Sequence, residues 1–215
     1  MRNGRSREVL LKLVSEDSAV LIIPGYIPAA LSGPDGIPSE IKTFLTDHTP
    51  VIGTVVAFRP EYGVDLLIAA VNQLVPDYPN VGLVIIGSGD ESSSGKAMQN
   101  LDASRAIVTK DLPHPQCLAV LSRFDIFARC TYYDGDAISV REALALGLTV
   151  VASDADFRPE GVVKFRVGDV QDLVCALRYA LEHSDEITKT NSGHSQSGGV
   201  ETVIRLYGKL MAEDE

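Results

Sequence analysis

From Val51 onward, short apolar runs alternate with amphipathic stretches, the pattern of repeated β-α units whose strands are parallel and buried on both faces. VIGTVVAF reads as a first strand ending near Phe58. Residues 63–75 follow as a helix, with Val64, Leu67, Ile68, Val71 and Leu74 at helical spacing and Pro76 and Pro79 to stop it. VGLVIIG is the second strand, and the polar Gly/Ser stretch at 88–96 is a surface loop after it. AIVT is the third strand, leading through Pro113, His114 and Pro115 to a helix over 116–122, and residues 124–128 form the fourth. SVREALALG reads as a helix with Ser139 near its N-cap and Gly147 at its C′ position. LTVVAS and VVKF are two more strands, and Asp169 opens a helix with Leu173, Ala176, Leu177 and Ala180 on one face.

The two ends lack this repeat. Residues 1–50 read as a helix, a strand (AVLIIP) and a proline-rich connector packed on the main domain, which spans 51–183. Residues 184–215 read as a polar loop over 185–199 and a terminal helix in VETVIRLYGKLM. The expected fold class is α/β, Rossmann-like and doubly wound, with a mainly parallel sheet.

Composition narrows the function classes. A chain of 215 residues suits one core with short appendages, and 45% hydrophobic with 22% charged residues is ordinary for a globular domain. A formal net charge of -10 argues against a nucleic-acid-binding surface, which needs Lys and Arg in excess, so a phosphate ligand would have to be held locally. Cys117, Cys130 and Cys175 are odd in number and without metal spacing, which points to free thiols in a reducing, cytoplasmic setting. No apolar run reaches the length of a transmembrane segment, and the basic N-terminal residues leave peripheral membrane association open.

Ligands of open α/β sheets bind outside the carboxyl ends of the strands, against helix N-termini. The richest loop there is TYYDGDAISVRE, where Asp134 and Asp136 precede a helix carrying Glu142 in its first turn. A carboxylate at that place can accept both hydroxyls of a ribose, and the backbone N–H groups of Ala137, Ile138 and Ser139 can take a phosphate. An Asp-rich turn before a helix is also favourable by capping alone. Gly87-Ser88-Gly89 is half of a dinucleotide fingerprint, lacking the third glycine and an adjacent helix, so an NAD cofactor is rejected. His114 reads as a turn residue between prolines, and no second His or Cys stands at metal spacing, so neither a metal nor a cofactor is expected.

The stretch DGDAISVREALALGLTVVASDADFRPEGVVKFRVGDVQDL resembles the donor-site signature of glycosyltransferase group 1 (family 4), in which two acidic residues separated by seven others precede a helix ending Glu-Ala-x-Ala-x-Gly. PEYGVDLLIAAVNQL, LVIIGSG, LPHPQCLAVLSRFDIFARCT and LIIPGYIPA resemble further segments of that family in the same order, over roughly residues 20–183. The resemblance implies the nucleotide-sugar-binding half of a GT-B enzyme. Its donor would be a nucleotide-diphosphate sugar of UDP or GDP type. Glu142 would hold the ribose, Ala137 to Ser139 the diphosphate, and Asp134 would face the transferred sugar. Val108 and Lys110 would lie by the base, with Gly87 at a neighbouring strand end.

The departures from the family pattern matter. An Arg and a Lys usually follow the first strand and neutralise the departing diphosphate, whereas Ala57 and Tyr62 stand at those positions here. Losing both cations should remove several kcal/mol of transition-state stabilisation. Arg59 lies in the same loop and is the candidate catalytic replacement, with Arg158 or Lys110 approaching from other loops. The enzyme reading is a retaining hexosyltransferase acting on a carbohydrate or lipid-linked acceptor with a separate acceptor-binding domain or subunit as partner, because the length leaves no room for that domain. The alternative is a non-catalytic nucleotide-sugar-binding or scaffold module. The isolated chain is expected to bind donor and transfer sugar poorly.

Overall fold

The computed structural model of the chain describes residues 36–88, 100–155, 157–191 and 204. The expected strand AVLIIP, most of the Gly/Ser loop and all but Ile204 of the terminal helix lie outside those residues. The elements, in chain order, are α1 (Ser39–Asp47), β1 (Val51–Ala57), a 3-10 turn (Pro60–Tyr62), α2 (Val64–Leu74), β2 (Gly82–Ser88) and β3 (Ala106–Thr109). They continue with α3 (His114–Leu121), β4 (Ile126–Arg129), α4 (Ile138–Ala145), β5 (Thr149–Ser153), β6 (Val162–Phe165), α5 (Val170–Glu182) and α6 (Ser184–Asn191).

The strands form one six-stranded sheet in the order β3-β2-β1-β4-β5-β6, parallel at every pairing. The order reverses direction between β1 and β4, which makes their carboxyl ends the switch point of a Rossmann-like sheet. Pairing there is brief: β1 matches β2 from Val51↔Gly82 to Ala57↔Ser88, but it matches β4 only at Ile52↔Ile126 and Gly53↔Phe127.

Strict alternation along the strands explains the two layers. Ile52, Leu83, Ile85, Ile126 and Val151 face one side, where α2 and α5 cover them, and Leu67, Val71, Leu173 and Leu177 complete that core. Their neighbours Val51, Val84, Ile86, Phe127 and Val150 face the other side, under α1, α3 and α4. Ile41 of α1 is fully buried in this second core.

Local chemistry sets the boundaries. Gly147, just past the end of α4, has φ +77°, the left-handed C′ conformation expected of it. The Asp169 side chain accepts a hydrogen bond from the Asp172 amide and so caps α5. Four expectations are corrected. α3 begins at His114, two residues early, because Pro115 sits in the first turn, where a missing N–H costs nothing. β4 begins at Ile126, since the Phe124 ring packs instead over Gly53, whose missing side chain would overlap it. The N-cap of α4 is Ala137, so Ser139 is the second helical residue and Glu142 lies a turn deeper than the first turn. Residues 184–191, read as loop, form α6, opened by Asp185 and Glu186 in its first turn.

Candidate functional site

The loop after β4 and the loop after β5 meet at the switch point around one carboxylate. Oδ2 of Asp134 accepts hydrogen bonds from Arg129 Nε (2.9 Å), Thr131 Oγ1 (3.0 Å) and Arg158 Nη1 (3.2 Å). None of these bonds uses Oδ1. Burial alone would raise the Asp134 carboxyl, but the Arg129 hydrogen bond and charge, with Arg158 and Thr131, together hold it below its ordinary value. Asp134 is therefore an ionised acceptor at neutral pH.

The two arginines differ in what they have left to give. Arg158, with its side chain 2% exposed, directs its fork at the Ser153 carbonyl, the Phe157 carbonyl, Asp134 Oδ2, Thr131 Oγ1 and Ser153 Oγ. That accounts for all five donors of a guanidinium. Arg129 donates to Asp134 and, through Nη1, to the Val55 carbonyl at 2.9 Å, and its guanidinium lies over the Tyr62 ring. Its Nη2 has no partner among the described residues. The pair carries one more positive charge than Asp134 cancels, next to the carboxyl end of the central strand.

Glycine explains why the loops come this close. Gly63, at φ +62°, precedes α2, and a Cβ there would sit 2.2 Å from the Cys130 carbonyl oxygen. Only glycine permits both the left-handed backbone and the approach. The Tyr132 amide then donates to the Glu61 carbonyl at 2.9 Å, tying the β1–α2 loop to the β4–α4 loop.

The N-terminus of α4 opens beside Asp134. Its N-cap, Ala137, supplies no side-chain hydrogen bond to the first-turn amides, and Ile138 is exposed there. Asp136, anticipated as half of an acidic bracket, is instead taken by Arg141, which donates from Nε to Oδ1. Glu142 faces the N-terminus of α3, where His114 Nε2 lies 2.6 Å from its Oε1. Burial, reinforced by the Glu142 and Asp111 charges, pushes the nearby Cys117 thiol up to about 11.

The other anticipated residues are more scattered. Val108 is half-buried in β3, and Lys110 is exposed just beyond it, four residues before His114. Gly87 ends near β1, where Phe58 fills the space a side chain would need: a Cβ would lie 2.4 Å from its ring. Arg59 is 71% exposed and 3.9 Å from Glu61, outside the Asp134 cluster. Arg129, Tyr62 and His114 complete the arrangement and were not anticipated as parts of it. Among the described residues, no three His, Cys, Asp or Glu side chains gather in a way that could hold a metal ion.

The sequence profile described as "Glycosyl transferases group 1" matches residues 39–190. The chain belongs to this family. The group 1 domain is 30% identical over 128 residues to the GDP-mannose-dependent monoacylated alpha-(1-6)-phosphatidylinositol monomannoside mannosyltransferase of Corynebacterium glutamicum, an alignment over 56% of this chain and 34% of that protein. Across four curated relatives, the alignments span between 34% and 41% of the relative's length. Among solved structures, it superposes on sucrose-phosphate synthase from Thermosynechococcus elongatus with a TM-score of 0.70 at 18% identity, covering 98% of this chain and 57% of that one. It also superposes on the C-terminal domain of a glycosyl transferase group 1 family protein from Francisella tularensis, with a TM-score of 0.58 at 18% identity, covering 82% of this chain and 98% of that one. The fold is the Rossmann-like half of the GT-B architecture. No helix among the described residues is long and apolar enough to cross a membrane.

Proposed function

We propose that this domain binds a nucleotide-diphosphate sugar at the carboxyl edge of the sheet, between the ends of β1 and β4, as the donor half of a retaining sugar transfer to a carbohydrate or lipid-linked acceptor. The observation that supports the reading is the α4 N-terminus, free of side-chain caps, following directly on Asp134 with the positive surplus of Arg129 and Arg158, while Glu142 lies further along the same helix.

In this reading each group has a role set by its surroundings. Glu142 accepts the ribose hydroxyls, and the amides of Ala137, Ile138 and Ser139 take the diphosphate along the helix dipole. Val108 and Lys110 flank the base, and Gly87 keeps the neighbouring strand end narrow. Asp134 keeps Oδ1 toward the sugar while both arginines hold its other oxygen. Charge builds on the departing diphosphate as the sugar leaves, and cations stabilise that state more than the ground state. Arg129, with unused donors, is better placed for this than Arg158, whose donors are spent on the protein, and the exposed Arg59 is a second cation. Acceptor recognition belongs to a separate domain or subunit.

A non-catalytic donor-binding module is the second reading, favoured by Ala57 and Tyr62 at the two positions where the family's cations are expected. One experiment series bears on both. Calorimetry with GDP first, given the name of the Corynebacterium relative, then UDP and ADP, should show binding by the full chain. Glu142→Ala should weaken it by about 1–3 kcal/mol, the worth of charge-assisted ribose hydrogen bonds. Equal affinity in the variant would remove Glu142 from the site. Sugar release from the matching donor, with and without an acceptor-domain partner, then separates enzyme from binding module.

A further inference from the structure

His114 and Glu142 stand 28 positions apart and meet at 2.6 Å, imidazole Nε2 to carboxylate Oε1. The mount is stiff on both sides. Pro113 caps α3 and Pro115 occupies its first turn, so His114 lies between two residues of fixed φ. α3 and α4 share one core through Val120, Leu121, Val140, Ala143 and Leu144, which fixes their spacing. Glu142 is largely covered, at 12% exposure, while His114 is 56% exposed.

We infer that His114 is a positioning residue for the ribose-binding carboxylate: it pins Glu142 Oε1 and leaves Oε2, which has no partner among the described residues, to accept from a ribose hydroxyl. The inference rests on the proposed reading of Glu142. An ionised carboxylate only accepts, so the contact requires a hydrogen on Nε2. Both the imidazolium and one neutral tautomer supply it. A free Glu side chain loses up to about 1.5–2 kcal/mol of rotamer entropy when a ligand orders it. Holding it beforehand removes part of that cost from binding. His114 also follows Val108 and Lys110 closely in the chain, so the contact links the base end of the cleft to the ribose end.

The test is calorimetry of the full chain with GDP and with 2′,3′-dideoxy-GDP, and with the uridine pair likewise. His114→Ala should bind GDP about tenfold more weakly than wild type while its affinity for the dideoxy form stays unchanged. His114→Gln, whose side-chain amide can donate from nearly the same place, should stay within about twofold of wild type. Tighter GDP binding by His114→Ala would mean that the imidazole competes with ribose, and unchanged binding that it does nothing to it. An equal loss for ribo- and dideoxynucleotides would mean that His114 only supports the fold. Each of these overturns the inference. Failure of the wild type to bind either nucleotide, or to distinguish it from its dideoxy form, would remove the ribose role of Glu142 itself and the inference with it.

Discussion

The Arg129 guanidinium lies over the Tyr62 ring, its central carbon 4.9 Å from the ring centroid. Where the family pattern leads one to expect a lysine at 62, an aromatic ring stands instead and carries a cation brought in from the neighbouring strand. A contact of this kind is worth about 0.5–2 kcal/mol, depending on how dry it is. Together with the Asp134 and Val55 bonds, it holds the guanidinium flat at the switch point.

Arg129 should therefore act on phosphate and not on the nucleoside. Arg129→Gln is expected to weaken a nucleoside diphosphate about tenfold while leaving the affinity of the corresponding nucleoside unchanged, measured by parallel calorimetric titrations. A uniform loss for both ligands would instead indicate a collapsed site.

Removing the charge of Asp134 leaves two guanidiniums facing each other in a covered place. Asp134→Asn should cost about 3 kcal/mol of folding stability at pH 7, read from urea unfolding. The folded-state carboxyl lies below its unfolded value, so its stabilisation is complete above about pH 4 and disappears as pH falls through the folded-state value. The gap between wild type and variant should narrow in unfolding curves taken at pH 3 and stay constant between pH 6 and 8.

Gly87→Ala drives a methyl group into the Phe58 ring, 2.4 Å away before relaxation. The expected loss is about 1–3 kcal/mol, the usual cost of overpacking a filled core. Phe58→Leu in the same chain should recover part of it if the clash is the cause, and thermal melts of the wild type, the single and the double variant would decide the point.

The thiols should react in the order of their surroundings. Cys175 is exposed, Cys117 is half-buried with its thiol pushed up to about 11, and burial pushes Cys130 to about 12. Because the thiolate is the reactive form, iodoacetamide at pH 8 should label Cys175 first, Cys117 slowly and Cys130 only on unfolding, as followed by peptide mass spectrometry.

The βα alternation was legible because buried parallel strands write unbroken apolar runs, and Gly147 and Asp169 marked their helix ends by ordinary capping chemistry. α1 and α6 were not. α1 buries one residue fully, Ile41, and α6 is polar except for Ile187, with no apolar stripe. Within the site, the spacing of Asp134 and Glu142 was visible along one loop and helix. His114 against Glu142 and Arg158 against Asp134 are 28 and 24 positions apart, and Arg129 over Tyr62 joins the end of β4 to the turn after β1. Such partners are chosen by the folding of the sheet, and no local offset announces them. Proline flanks even disguised His114 as a turn.

The short pairing between β1 and β4 gives the Arg129 side chain a second consequence. Backbone knits the two central strands only up to Gly53 and Phe127, and beyond that the sheet is forked. The bond from Arg129 to the Val55 carbonyl laces the fork two residues further out. At its carboxyl edge the junction of the sheet's two halves therefore rests on a side-chain bond, where β1 and β2 have a continuous backbone ladder.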